Sequence, residues 1–191
     1  MPNARNAAAA LLLAGLLLPG LAAAQAAPSL HITGSGEFVA RRDLGPPEAG
    51  PDTPAPPAQG SDTVVMVEDP HIVSRTNGIE ARLCRRFGFM FTLENAGPTG
   101  TLGVVVTSVH PPIVHPNGRV STGATYPMVL STEQPGLVGF SFDDPWELVA
   151  GPWTFTVRAG GRVLAEQRYD VTVPPGTDLS GVRRDCSALV S

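Results

Sequence analysis

Lysine is absent from this 191-residue chain, so all 13 of its basic side chains are arginine. That absence excludes a Schiff-base amine, a Ser-x-x-Lys nucleophile and the lysine of a phosphate-binding loop. Also missing are G-x-S-x-G, H-E-x-x-H, a glycine-rich phosphate loop and any C-x-x-C pair. These are the local signatures of serine hydrolases, zinc peptidases, nucleotide enzymes and dithiol oxidoreductases. No window shows the 3.6-residue period of an amphipathic helix. Beyond residues 7–18 no apolar run approaches the roughly 20 residues that a membrane-spanning helix needs. The net charge of −4, nearer about −5 without Arg5, gives no electrostatic reason to expect nucleic acid. The lack of lysine beside abundant Ala, Gly and Pro reads first as the imprint of a GC-rich genome.

The first feature present is an export leader over residues 1–26. A short polar start carries Arg5, residues 7–18 are an apolar run of Ala and Leu around Gly15, and Pro19-Gly20 breaks the run. Ala22-Ala23-Ala24 and Ala24-Gln25-Ala26 both satisfy the small-x-small rule of signal peptidase. No cysteine stands in the cleavage zone directly after the apolar run, so a lipid anchor is not expected. The leader predicts a periplasmic or secreted protein. Its two cysteines, Cys84 and Cys186, then stand in an oxidising compartment, where an even pair most economically forms one disulfide. A redox or metal-binding thiol pair is the alternative, and the spacing gives it no support.

Residues 27–42 read as an N-terminal strand, loosely alternating and bent by Gly34 and Gly36, as suits a sheet edge. Residues 43–60 carry six prolines with almost nothing to bury, so they read as a Pro-rich flexible linker or loop. Residues 61–175 form the main domain and residues 176–191 a C-terminal tail. Within the domain, Phe87, Phe89, Phe91 and Leu93 recur at period two, the mark of a core strand. Residues 102–109 are apolar on both faces, as in a central strand covered on each side. Residues 126–130 and 137–142 supply two more strands. Trp153, Phe155 and Val157 alternate with polar partners, Gly160-Gly161 makes a tight turn, and Tyr169, Val171 and Val173 return on one face. Seven to nine such strands predict an all-β, two-sheet antiparallel sandwich of immunoglobulin-like type, with a barrel as the competing architecture. Phe87, Phe89, Phe91, Trp153, Phe155 and Tyr169 are the expected core.

The Arg86-Phe87-Gly88-Phe89 strand, the Gly-turn hairpin and above all the Glu-Leu-Val-x-Gly-x-Trp-x-Phe segment from Glu147 to Phe155 resemble a family of small bacterial secreted proteins known as a domain of unknown function. The likeness covers about half of the chain. It implies an exported β-domain and assigns no catalytic or binding residue. Against it, the Pro-rich stretch looks like an insertion, and the cysteine pair is outside the family's pattern.

Three clusters remain. Asp143, Asp144 and Glu147 put three carboxylates within five residues, enough to consider Ca²⁺ or acid/base chemistry. Asp-Asp-Pro is, however, a turn former, and Glu147 is expected to accept backbone hydrogen bonds at that corner. His110, His115, His31 and His71, with Met66, Met90 and Met128, raise copper handling. Residues five apart in extended chain point to opposite faces, so loop histidines and core methionines are expected instead. Arg82, Arg85 and Arg86 flank Cys84, while Arg183 and Arg184 precede Cys186, so a disulfide would gather five guanidiniums into a candidate anion site. The competing reading is solvated charge balanced by Asp178 and Asp185. Taken together, the residues point to a non-catalytic binding or accessory module of the bacterial cell envelope without a cofactor or metal. Its partner would be an envelope protein, glycan or lipid headgroup. The alternative is an envelope hydrolase acting through Asp143, Asp144 or Glu147.

Overall fold

The computed structural model describes residues 26–40, 42–45, 66–177, 179 and 186. The leader and most of the Pro-rich stretch and tail, including Arg183 and Arg184, lie outside the described residues. Eleven strands are described: β1 (Ser29–Val39), β2 (Arg42–Gly45), β3 (Met66–Glu68), β4 (His71–Ser74), β5 (Gly78–Glu80), β6 (Arg86–Glu94), β7 (Thr101–Val114), β8 (Val120–Ser131), β9 (Gly136–Ser141), β10 (Gly151–Ala159) and β11 (Arg162–Thr172). One 3-10 turn, Pro145–Glu147, sits between β9 and β10.

Two sheets form the sandwich, ordered β4-β1-β6-β9 and β5-β11-β10-β7-β8, and β2 and β3 make a separate two-stranded ribbon. Pairing is antiparallel except for β5, which lies parallel to β11. The ribbon takes in residues 43–45, which the sequence reading assigned to the flexible stretch. β1 also departs from expectation, because it lies inside its sheet rather than at an edge. Its glycines serve close approach instead of bending: a Cβ on Gly36 would stand 1.9 Å from the Ser74 carbonyl oxygen of β4.

The core forms where the two sheets meet. Period-two alternation sends Phe87, Phe89 and Phe91 of β6 inward, opposite Trp153, Phe155 and Tyr169 of β10 and β11, and all six are buried. Phe87 is the hub: its ring centroid lies 5.5 Å from Trp153, 5.8 Å from Phe155 and 5.2 Å from Tyr169, each edge to face. Edge-to-face packing satisfies the ring quadrupoles, and each large buried side chain contributes roughly 1.5–3 kcal/mol. The hairpin turns at Gly160 and Gly161, with φ of 54° and 81°. Two successive positive φ values match the twist of the flanking strands and favour glycine at both positions.

Candidate functional site

The chain from β5 to β6 folds over the end of β9. Cys84 takes a left-handed conformation at φ 66°. Its amide donates to the Phe142 carbonyl at 2.7 Å, and the Phe142 amide donates to the Arg85 carbonyl at 3.0 Å. That pair of bonds presents the Cys84 thiol to the C-terminal segment, and Cys84 and Cys186 form a disulfide across 102 positions with Cα atoms 5.1 Å apart. Around it, the Arg82 side chain is 62% exposed and pairs with Glu80. Arg85 Nη1 lies 2.9 Å from Glu37 Oε1. Arg86 is buried in β6, opposite Ser141 of β9. The described part of the corner thus joins three guanidiniums with the carboxylates of Glu37 and Glu80.

The carboxylate cluster sits just beyond, on the connection from β9 to β10. Glu147 is fully buried (0% exposed). Its Oε2 accepts the backbone amides of Asp143 at 2.6 Å and Asp144 at 2.9 Å, reaching back over Pro145, which opens the 3-10 turn. The second of those bonds is half of a capping box, and a charged acceptor strengthens both. Asp143 in turn accepts the Ser141 hydroxyl at 2.6 Å. The cluster's geometry is that of a carboxylate organising a corner: it binds the chain's own amides in the place a substrate proton would occupy.

The histidines correct the sequence reading. His110 lies in β7 and His115 in the connection just after it, and both are buried and pack on tryptophans with ring centroids 4.6 Å apart: His110 on Trp153, His115 on Trp146. The cause is a register shift between Val109 and Ile113, around Pro111-Pro112. One irregular step inverts the alternation, so residues five apart share a face. His110 Nδ1 donates to the Pro111 carbonyl at 2.8 Å. His115 Nε2 and the buried Ser121 hydroxyl lie 2.9 Å apart, the spacing of a nucleophile and its base. The orientation is wrong for that task. Arg119 Nη2, 3.2 Å from His115 Nδ1, can only donate, so in the neutral ring Nδ1 accepts and Nε2–H donates to Ser121. A catalytic histidine needs the opposite tautomer. No group of three or more His, Cys, Asp or Glu side chains among the described residues is arranged to hold a metal ion.

The second correction concerns β7. It lies inside its sheet, between β10 and β8, yet only one face is covered. Val104 and Val106 are buried, while Val105 and Val109 are 43% and 55% exposed. The register sets Val105 opposite Pro127 and Gly103 opposite Val129, which is 74% exposed. Opposed residues share a face, so these side chains form a largely apolar stripe on the outside of β7 and β8, crossed between Val105 and Val109 by the Thr107–Thr125 pair. Arg158 of β10 stands directly opposite Val105 and borders this strip, and further charge follows across the sheet at Glu166, Arg168 and Asp170. Neither this stripe nor the Ser121–His115–Arg119 chain was recognised from sequence. The Pro-Pro pair within an apolar strand was the available signal for the second.

Residues 56–171 match the signature of a domain of unknown function, DUF3859. The chain belongs to that family. Among solved structures, this DUF3859 protein is similar to an immunoglobulin-like protein from Pseudomonas aeruginosa, with 22% identity and a TM-score of 0.55 over 78% of this chain and 99% of that one. At that identity the likeness shows the immunoglobulin-like fold and nothing finer. A Pseudomonas fluorescens alkylpurine DNA glycosylase bound to DNA with an abasic-site analog overlaps 50% of this chain and 27% of its own, at 17% identity and a TM-score of 0.30. No curated protein matches the DUF3859 chain significantly.

Proposed function

We propose that the protein is an exported, non-catalytic binding module of the bacterial cell envelope that engages its partner through the outer apolar stripe of β7 and β8. The exposed face of β7 carries the reading. Its sequence is that of a strand buried on both sides, and Val105 and Val109 are nonetheless left in water. Export is supported by the leader pattern of residues 1–26 and by the disulfide. No helix among the described residues is long and apolar enough to cross a membrane. The hydrolase alternative loses support because Glu147 is buried on backbone amides and the Ser121–His115 pair is held in the wrong tautomer.

The test is affinity capture from the native envelope fraction, with mass spectrometry, comparing the natural protein with Val105→Glu plus Val109→Glu. A partner lost by a variant that keeps its melting temperature supports the reading. Identical captures by both proteins would overturn it. A second, anionic contact is favoured by the exposure of Arg82 beside the disulfide, although a phosphate or carboxylate there competes with Glu80. Salt-sensitive binding to anionic glycans or phospholipid headgroups, weakened by Arg85→Ala plus Arg184→Ala, is the result expected of that contact.

A further inference from the structure

We infer that β8 pairs edge to edge with β8 of a second copy of this chain, joining two five-stranded sheets into one. β8 ends its sheet, and among the described residues one side of its backbone has no neighbouring strand. An open edge presents a row of amides and carbonyls ready for another strand, and proteins ordinarily blunt it with charge or brevity. The other sheet ends are defended in that way. β4 is four residues long between Asp69 and Arg75, β5 is three residues long and carries Glu80, and β9 has six residues, two of them glycine. β8 has 12 residues and not one acidic or basic side chain.

Charge selects the second copy as occupant. The chain carries a net −4, so two copies repel in general, and they approach most easily across a stretch that bears no charge. A twofold axis satisfies this with itself, because each copy offers the same neutral strand and antiparallel pairing is the geometry such an axis produces. The edge is long enough: 12 residues at about 3.4 Å each span roughly 40 Å. A strip one side chain wide on each face covers on the order of 500 Å² per copy, close to the threshold of about 1,000 Å² in total for a specific interface. Pro127 lacks an amide hydrogen and takes one donor from each copy, a further reason for the dimer to be weak and reversible. Pairing would also set the two apolar stripes side by side, doubling the surface open to a partner.

The inference stands apart from the proposed function, because it concerns the purified chain alone: failed partner capture leaves it intact, and a monomeric protein leaves the stripe on β7 intact. Sedimentation equilibrium of the purified protein should show a monomer–dimer equilibrium in the micromolar range. Hydrogen exchange should slow in β8 as concentration rises, and not in β4 or β9. Thr125→Lys, at the middle of β8, places like charges beside the axis, and, separately, Thr122→Lys puts a charge into the neutral edge, both at exposed positions. Each should weaken the dimer at least tenfold with an unchanged circular dichroism spectrum. A protein that stays monomeric, a dimer indifferent to both lysines, or protection that falls on another strand would overturn the inference. So would protection of β8 that requires an added foreign peptide.

Discussion

Replacing Glu147 separates a structural carboxylate from a catalytic one. Its Oε2 holds two backbone amides, at 2.6 and 2.9 Å, inside a residue with no solvent exposure. Hydrogen bonds to a charged group contribute about 1.5–3 kcal/mol each, and a buried amide left without an acceptor carries its own desolvation cost. Glu147→Ala should therefore cost about 3–5 kcal/mol. In a domain of this size that lowers the melting temperature by roughly 10 °C or more. Glu147→Gln keeps an oxygen in the same place and loses the charge assistance, about half of each bond, so its cost should be about 1.5–3 kcal/mol. Urea unfolding of the two variants against the natural protein measures both. The order of the two is the sharp part of the prediction. A glutamine variant less stable than the alanine variant would mean that the added NH2 meets another donor, and that the negative charge is matched by something other than these amides. Two variants of undiminished stability would show that the corner does not need the carboxylate, leaving it free for chemistry.

Trp153→Ala removes a fully buried ring that packs on Phe87 and His110, and should cost roughly 3–5 kcal/mol. If it instead keeps the melting temperature and loses a partner, Trp153 belongs to a binding surface. Both tyrosines of the chain, Tyr126 and Tyr169, have phenols pushed up to about 12 by burial, and for Tyr169 the bonds from Ser35 and Gly36 partly offset that rise. An unfolded tyrosine ionises near pH 10. The folded state holds the neutral phenol, so this contribution is complete below pH 10 and is lost as pH rises toward 12. Denaturant midpoints should accordingly fall over that window while tyrosinate absorbance lags behind free tyrosine. Ordinary titration near pH 10 without loss of stability would contradict the burial of both rings.

Local pattern carried much of the architecture. Phe87, Phe89 and Phe91 alternate with no competing period, and Gly160-Gly161 admits few other turns, so one core strand and one hairpin could be placed from residues alone. What failed was decided by neighbours distant in sequence. Gly34 and Gly36 look the same whether a strand bends at an edge or admits β4 at close range. The alternation of β7 shows that both faces are apolar and says nothing of whether anything lies over the second. His110 and His115 were misassigned by counting parity through Pro111-Pro112, where an irregular step resets the count. The parallel seat of β5 beside β11 joins segments some ninety residues apart, a pairing that no local signal encodes. In the candidate site, the disulfide followed from the even count of cysteines read together with the leader pattern. The partners of Arg82 and Arg85 did not, because Glu37 reaches Arg85 only through the pairing of β1 with β6.

The bond between Cys84 and Cys186 closes a covalent ring around β6 to β11. Tension applied between β1 and the C-terminal segment runs from β1 to Cys84 and across the sulfur bridge, so the strands inside the ring carry none of it. A protease faces the same obstacle, since one cut at the Gly160-Gly161 turn or at the tip between β7 and β8 opens the ring and detaches no fragment. The core would thus hold together through a single nick or a sustained pull, provided the bridge stays oxidised.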